Sequence, residues 1–231
     1  MMLCINIFLF FCLTLSLNAA APATHVYFAQ VWLDCFHVED LSSQQVFIAG
    51  TLFPDIRYLG TISRNATHER DVTPEKIRAT HCLFGAGMRL HSLVDEVREK
   101  YVKQSSVLEH LQSIPKNVRV SFLKLLEDEI LWDYVHCQQV VELLHIDYPQ
   151  EIKAGVDRQV AQKWHKKLIN YFGQRPSEFL KHLAAEGKGF LNANHATVVE
   201  WSKLLPQYAA NPRYIKYTHE MVDYVCAGWV Q

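Results

Sequence analysis

Apolar residues recur along this chain at helical spacing, and strand-like alternation is scarce. Between 26 and 36, Val26, Phe28, Ala29, Val31, Trp32, Leu33 and Phe36 cover a broad face of one helix. Positions 41–52 continue the pattern, and Pro54 is expected to close it, because the residue before a proline avoids the helical region. Few apolar residues occur from 60 to 73, where a loop is expected. Thr73-Pro74-Glu75-Lys76 supplies a capping residue with a proline at the first helical position. Leu83, Gly87, Leu90, Val94, Val97 and Tyr101 then step by three and four residues, which predicts a long core helix. Further helices are expected at 117–144, 155–172, 176–185, 195–205 and 215–229. The short alternation Val118-Arg119-Val120-Ser121-Phe122 runs directly into helical spacing. The fold class predicted is all-α, a single multi-helix domain.

The first twenty residues depart from this pattern. An apolar core ends in small residues, which reads as an export signal cut after Ala20, leaving 21–231 as the domain. No lysine or arginine precedes Arg57, so the usual basic start is absent and an uncleaved N-terminal anchor helix is the alternative. The signal reading places the protein outside the cell or in a periplasm. No later stretch is long and apolar enough to cross a membrane.

Charge and cysteine content narrow the classes. The 23 basic and 24 acidic residues nearly balance, so there is no electrostatic footprint for nucleic acid. Cys4 and Cys12 fall in the leader. Cys35, Cys82, Cys137 and Cys226 could form two disulfides or serve as small buried hydrophobes. No Cys-x-x-Cys occurs, which argues against a thiolate zinc site. Neither Gly-x-Ser-x-Gly nor a Gly-rich phosphate loop ending in Lys is present.

Candidate chemistry lies in polar residues set within apolar sequence. His91 and Asp95 stand four apart on one predicted helix, so their side chains share a face bordering the Leu90/Val94 stripe. Gly85 and Gly87 leave room upstream for close approach. Asp55 follows Pro54 at the end of an apolar run, and His25 opens the first helix. A carboxylate or imidazole desolvated alone is costly, and a shared metal ion satisfies several at once. The bland alternatives are a helix-face pair for His91/Asp95 and a surface ion pair of Asp55 with Arg57.

The order of these residues resembles the zinc-dependent phospholipase C family and the related P1/S1-type nucleases. The resemblance is carried by His25, Gly50-x-x-x-Pro54-Asp55, a loop histidine and His91-x-x-x-Asp95, over roughly residues 24 to 101. It implies an all-helical scaffold binding one to three zinc ions through His25, Asp55, His68, His91 and Asp95, with His81 the second choice for the loop ligand. Asp55 is then the residue expected to bridge metals and orient the attacking water. Those enzymes also use a mature N-terminal Trp and a second His-x-x-x-Glu/Asp. This chain has no Trp near the expected cut, and offers His219 and Asp223, or Glu129, Asp133 and His136, further on. The function implied is an exported zinc-dependent phosphoester hydrolase, acting on a phospholipid or other phosphodiester with peripheral membrane contact. The alternative is a non-catalytic exported helical binding protein that retains a partial metal site.

Overall fold

The computed structural model describes residues 20–60, 62–190 and 193–229. The leader, apart from Ala20, lies outside them. The described residues form thirteen α-helices and three short 3₁₀ segments, and among them the only β pairing is an isolated bridge of Phe190 with Ala193. No helix there is long and apolar enough to cross a membrane.

Helix α1 (Pro22–Cys35) is followed by α2 (Leu41–Leu52), whose N-cap Asp40 accepts the Ser43 N–H at 2.8 Å. Beyond Leu52 the chain does not break at Pro54. It tightens into a 3₁₀ segment, Phe53–Leu59, which carries Asp55 in its first turn and ends on Gly60 at φ 79°. The expected loop contains a turn of helix, α3 (Arg64–Thr67), before α4 (Pro74–Arg78), which is capped by Thr73 as predicted. Helix α5 (Leu83–Gln104) is the long core helix, and α6 (Val107–His110) is a single turn.

The helix expected at 117–144 is three pieces. Helix α7 (Arg119–Leu131) passes into a 3₁₀ turn at Trp132–Tyr134, and α8 (Cys137–Leu143) follows. Then come α9 (Pro149–Lys153), α10 (Arg158–Phe172), α11 (Pro176–Ala185), α12 (His195–Ala209) and α13 (Pro212–Cys226). Asp157, Asn194 and Asn211 cap α10, α12 and α13 through their side chains, which places these starts within a few residues of the sequence reading.

One hydrophobic core unites the helices. Its closest crossing is α2 on α5. A Cβ at Gly50 would overlap the Phe84 carbonyl, and one at Gly87 would overlap the Phe47 carbonyl, so the two backbones touch through these glycines. Gly85 has only ordinary neighbours, so the space it was expected to provide comes from Gly50 instead. Helix α1 packs on α2, α5 and α7, while α11 to α13 close the far side of α7 and α5.

Charged residues also tie the helices together. Arg98 of α5 and Glu127 of α7, both buried, meet through two hydrogen bonds of 2.6 and 3.0 Å, and the Tyr217 hydroxyl of α13 donates to the same carboxylate at 2.9 Å. The four described cysteines are unpaired: Cys137 and Cys226 are half-buried and pack against the core as small hydrophobes, while Cys35 and Cys82 are exposed.

Candidate metal centre

The α2–α5 crossing brings the Thr51 carbonyl, near the end of α2, to His91 on α5. Because α1 lies across both, His25 stacks on His91 with ring centroids 3.8 Å apart and planes 12° from parallel. The start of α1 is held by Asp128 of α7, fully buried, which accepts from the Ala23 and Thr24 amides at 2.9 and 2.7 Å, the Thr24 hydroxyl and the Tyr171 hydroxyl. Burial pushes the Asp128 carboxyl up to about 6, so at neutral pH it is ionised, as four donors require. A carboxylate at a helix N-terminus is favoured by the exposed amides and the dipole there.

Five of the residues singled out from the sequence converge at this point. His25 Nε2 lies 3.2 Å from Asp95 Oδ1, while His68 and His91 Nε2 lie 3.5 and 3.6 Å from Asp95 Oδ2. His91 Nε2 is 3.9 Å from Asp55 Oδ1. Asp55 does pair with Arg57, at 3.4 Å, but both side chains are about nine-tenths buried, so this is no surface ion pair. His25, His91 and Asp95 form one group with donor atoms all within 4.8 Å of one another, and Asp55, His68 and His91 form another. These buried groups could hold a metal ion.

The remaining predicted ligands do not join them. His219 and Asp223 sit on the exposed face of α13. His81 is exposed before α5, Glu129 accepts from Ser177 at the start of α11, and Asp133 pairs with Arg175 at 2.8 Å. The spacing of His219 and Asp223 is ordinary for a solvated helix face, and the rotation of α13 about its axis decides the matter.

Hydrogen bonding fixes which ring nitrogens are free. A carbonyl oxygen only accepts, so His91 Nδ1 must donate to Thr51 O at 2.9 Å. The Thr67 hydroxyl lies 3.2 Å from Arg64 O and 2.8 Å from His68 Nδ1, so it holds that ring in place. The Nε2 atoms of His68 and His91 face each other at 3.2 Å, an approach that a proton on either ring or a metal ion beside both satisfies. Burial lowers the pKa of His68, and burial with the neighbouring His91 lowers His25 to about 4. Burial also opposes protonation of His91, but Asp95 and Asp55 outweigh it and raise its pKa, so without a metal the shared proton belongs to His91. His25 Nε2 and Asp95 Oδ2 remain buried with no aligned hydrogen-bond partner, since the short His25–Asp95 approach is poorly directed.

Around this cluster, a surface cavity of about 330 Å³ has His68 and Asp95 in its lining, together with Arg64, Ser92 and Glu96. The Ala20 amide donates to Asp95 Oδ1 at 2.8 Å. Thr51, Thr67 and Asp128 were not among the residues singled out. Thr67 lies in a polar stretch that gives it no distinguishing pattern, and Thr51 acts through its backbone, which leaves no signal. Asp128 did have one: Lys124, Glu127 and Asp128 interrupt the apolar run Phe122–Leu131 on a single helical face.

Comparison with protein-family models, with curated proteins and with solved structures finds no match for this chain.

Proposed function

We propose that this chain is a zinc-dependent phosphoester hydrolase, with a phospholipid head group or another phosphodiester as its substrate class. The observation that carries the reading is the facing pair of Nε2 atoms of His68 and His91, each ring held by a hydrogen bond through its other nitrogen. Histidine ligands of metals typically donate their second nitrogen in this way. Zinc bonds of about 2.0–2.1 Å at tetrahedral angles separate neighbouring donor atoms by about 3.3 Å, close to the separations found here. Asp55, His68 and His91 make one three-donor set, and His25, His91 and Asp95 make a second beside it. Imidazole and carboxylate donors without thiolate suit zinc in a catalytic setting.

Held by these residues, zinc would supply Lewis-acid chemistry, lowering the pKa of a bound water and polarising a phosphoryl oxygen. The chain's own groups do the rest. Asp55, steadied by Arg57, orients the attacking water and takes its proton. His25, neutral because of its burial, keeps its ring against His91 and limits the rotamers both can adopt. The cavity at His68 and Asp95 admits a substrate from the surface while the rings on its inner side exclude bulk water. Export belongs to the same proposal: a signal cut after Ala20 would remove the residue whose amide reaches Asp95 and leave a free amine on Ala21.

A second reading, a helical binding protein with a structural metal, is favoured by the failure of His219 and Asp223 to reach the centre. Elemental mass spectrometry of the gel-filtered protein, followed by a generic phosphodiester assay, separates the two. Bound zinc with turnover lost in Asp55→Asn supports the hydrolase. Zinc without turnover supports the binding protein, and no zinc after loading refutes both.

A further inference from the structure

The cavity beside His68 and Asp95 has more acidic than basic side chains in its lining, yet most of the acids already have cations of their own. Glu69 pairs with Arg89 at 2.8 Å, Glu96 with Lys100 at 2.7 Å and Glu99 with Lys103 at 2.6 Å, and these three cations stand outside the lining. The Lys76 ammonium sits on the Asp71 carbonyl at 2.8 Å. The basic side chains of the lining itself are Arg64 and Arg70.

Arg64 is the one that reaches the cluster. It opens α3, and its carbonyl accepts from the His68 amide at 2.8 Å, so the two residues stand one turn apart on one side of that short helix. Its Nη2 lies 3.8 Å from Asp95 Oδ2, the oxygen that His68 and His91 Nε2 approach at 3.5 and 3.6 Å. This is charge attraction without a hydrogen bond, since Asp95 Oδ2 makes none. The Arg64 side chain is 39% exposed and that of Asp95 3%, so the guanidinium stands on the cavity side of the buried donors. Arg57, by contrast, is buried and engaged by Asp55 and Tyr58. With a divalent ion on Asp95, the carboxylate charge that attracts Arg64 would be largely offset. The planar fork of the guanidinium, which matches two oxygens of one phosphate, would then face an anion entering from the surface.

We propose that Arg64 binds the substrate phosphate at the metal centre, its guanidinium taking two non-bridging oxygens from the cavity side. This rests on the metal-site reading and extends it by naming the side chain that recognises phosphate. No bond making or breaking is assigned to Arg64; it positions the anion and offsets its charge.

The test is calorimetric titration of inorganic phosphate into the zinc-loaded full chain, for the unaltered protein, Arg64→Met, Arg64→Lys and Arg70→Met, with zinc content measured on each. Phosphate affinity should fall at least about tenfold in Arg64→Met, which removes a charge-assisted pair of hydrogen bonds. Arg64→Lys restores the charge without the fork and should recover part of the loss. Arg70→Met removes the same charge from the same cavity and should stay within about threefold of the unaltered protein, or half a decade. Zinc content should hold in all three variants, because neither arginine is a ligand. Unchanged phosphate affinity in Arg64→Met overturns the proposal. So does an equal fall in Arg70→Met, which would make the effect a general field of the cavity, and so does loss of zinc in Arg64→Met, which would make the residue a support of the metal. Zinc uptake with no phosphate binding by the unaltered protein ends the proposal and leaves the metal reading standing. If the unaltered protein takes up no zinc, the metal reading fails by itself. The same titration on metal-free protein then decides: phosphate binding that depends on Arg64 keeps the anion site, and its absence ends it.

Discussion

Asparagine at position 95 probes the centre at its most connected residue. Asp95 is 2% exposed, and both oxygens are engaged: Oδ1 by the Ala20 amide and His25, Oδ2 by the approach of His68 and His91. The amide is isosteric with the carboxylate, so the helices should stay in place. What disappears is the anionic donor of the set formed with His25 and His91. Four-ligand zinc sites bind with about 10–16 kcal/mol, so one ligand accounts for roughly 3–4 kcal/mol. At about 1.4 kcal/mol per decade that is two to three powers of ten in zinc affinity. Competition with a chromophoric zinc chelator at pH 7 reads this directly. A second readout uses metal-free protein. Burial alone would push the Asp95 carboxyl up, but His91, His25 and His68 outweigh it and hold it well below 3.8. A depressed carboxyl stabilises the fold above its unfolded pKa, and that stability is lost as the pH falls through the folded value. Asp95→Asn should therefore flatten the acid limb of the stability curve. Zinc affinity in the variant within about threefold of the unaltered protein, or about half a decade, would refute the reasoning.

Three further outcomes follow from single contacts. Thr67→Val removes the hydroxyl that holds His68 Nδ1 and should weaken zinc binding about 10- to 100-fold with little change in melting temperature, measured by the same competition. Gly50→Ala drives a methyl into the Phe84 carbonyl and should cost about 1–3 kcal/mol or more in urea unfolding, whereas Gly85→Ala, with only ordinary contacts around it, should gain up to about 1 kcal/mol. Burial first, then Arg98, lowers Lys124 from 10.5 to about 8. The unfolded chain binds the extra proton between those values, so stability should rise across that range by about 3 kcal/mol, and denaturation of Lys124→Met should show no such rise.

The signals for the candidate site stand in the first half of the chain, where single ligand-type residues occur in apolar surroundings. Burial forces such residues to find partners, so Asp55, His91 and Asp95 are conspicuous in the sequence itself. His68 is harder. It stands in a polar stretch beside His81, and only the short helix α3 and the Thr67 hydroxyl turn one of the two inward. The pair His219 and Asp223 has the same four-residue spacing as His91 and Asp95 and meets the opposite fate, because spacing places two residues on one face without saying which way the face points. Lys124, Glu127 and Asp128 stand out as three charges on one face of a helix that otherwise reads as apolar.

Local rules decided most of what is local. Helical periodicity and the capping residues Asp40, Thr73, Asp157, Asn194 and Asn211 determined the all-α class and the starts of five helices, since a side chain capping a backbone amide two or three residues on needs no tertiary partner. The long-range arrangement belongs to the tertiary structure alone. Contact between the α2 and α5 backbones at Gly50 and Gly87, the bond from His91 to the Thr51 carbonyl, and the grip of Asp128 on the start of α1 all come from packing between segments far apart in the chain. Those contacts bring five scattered residues into one cluster that could hold a metal ion, because the donors converge only once helices distant in sequence are pressed into one core.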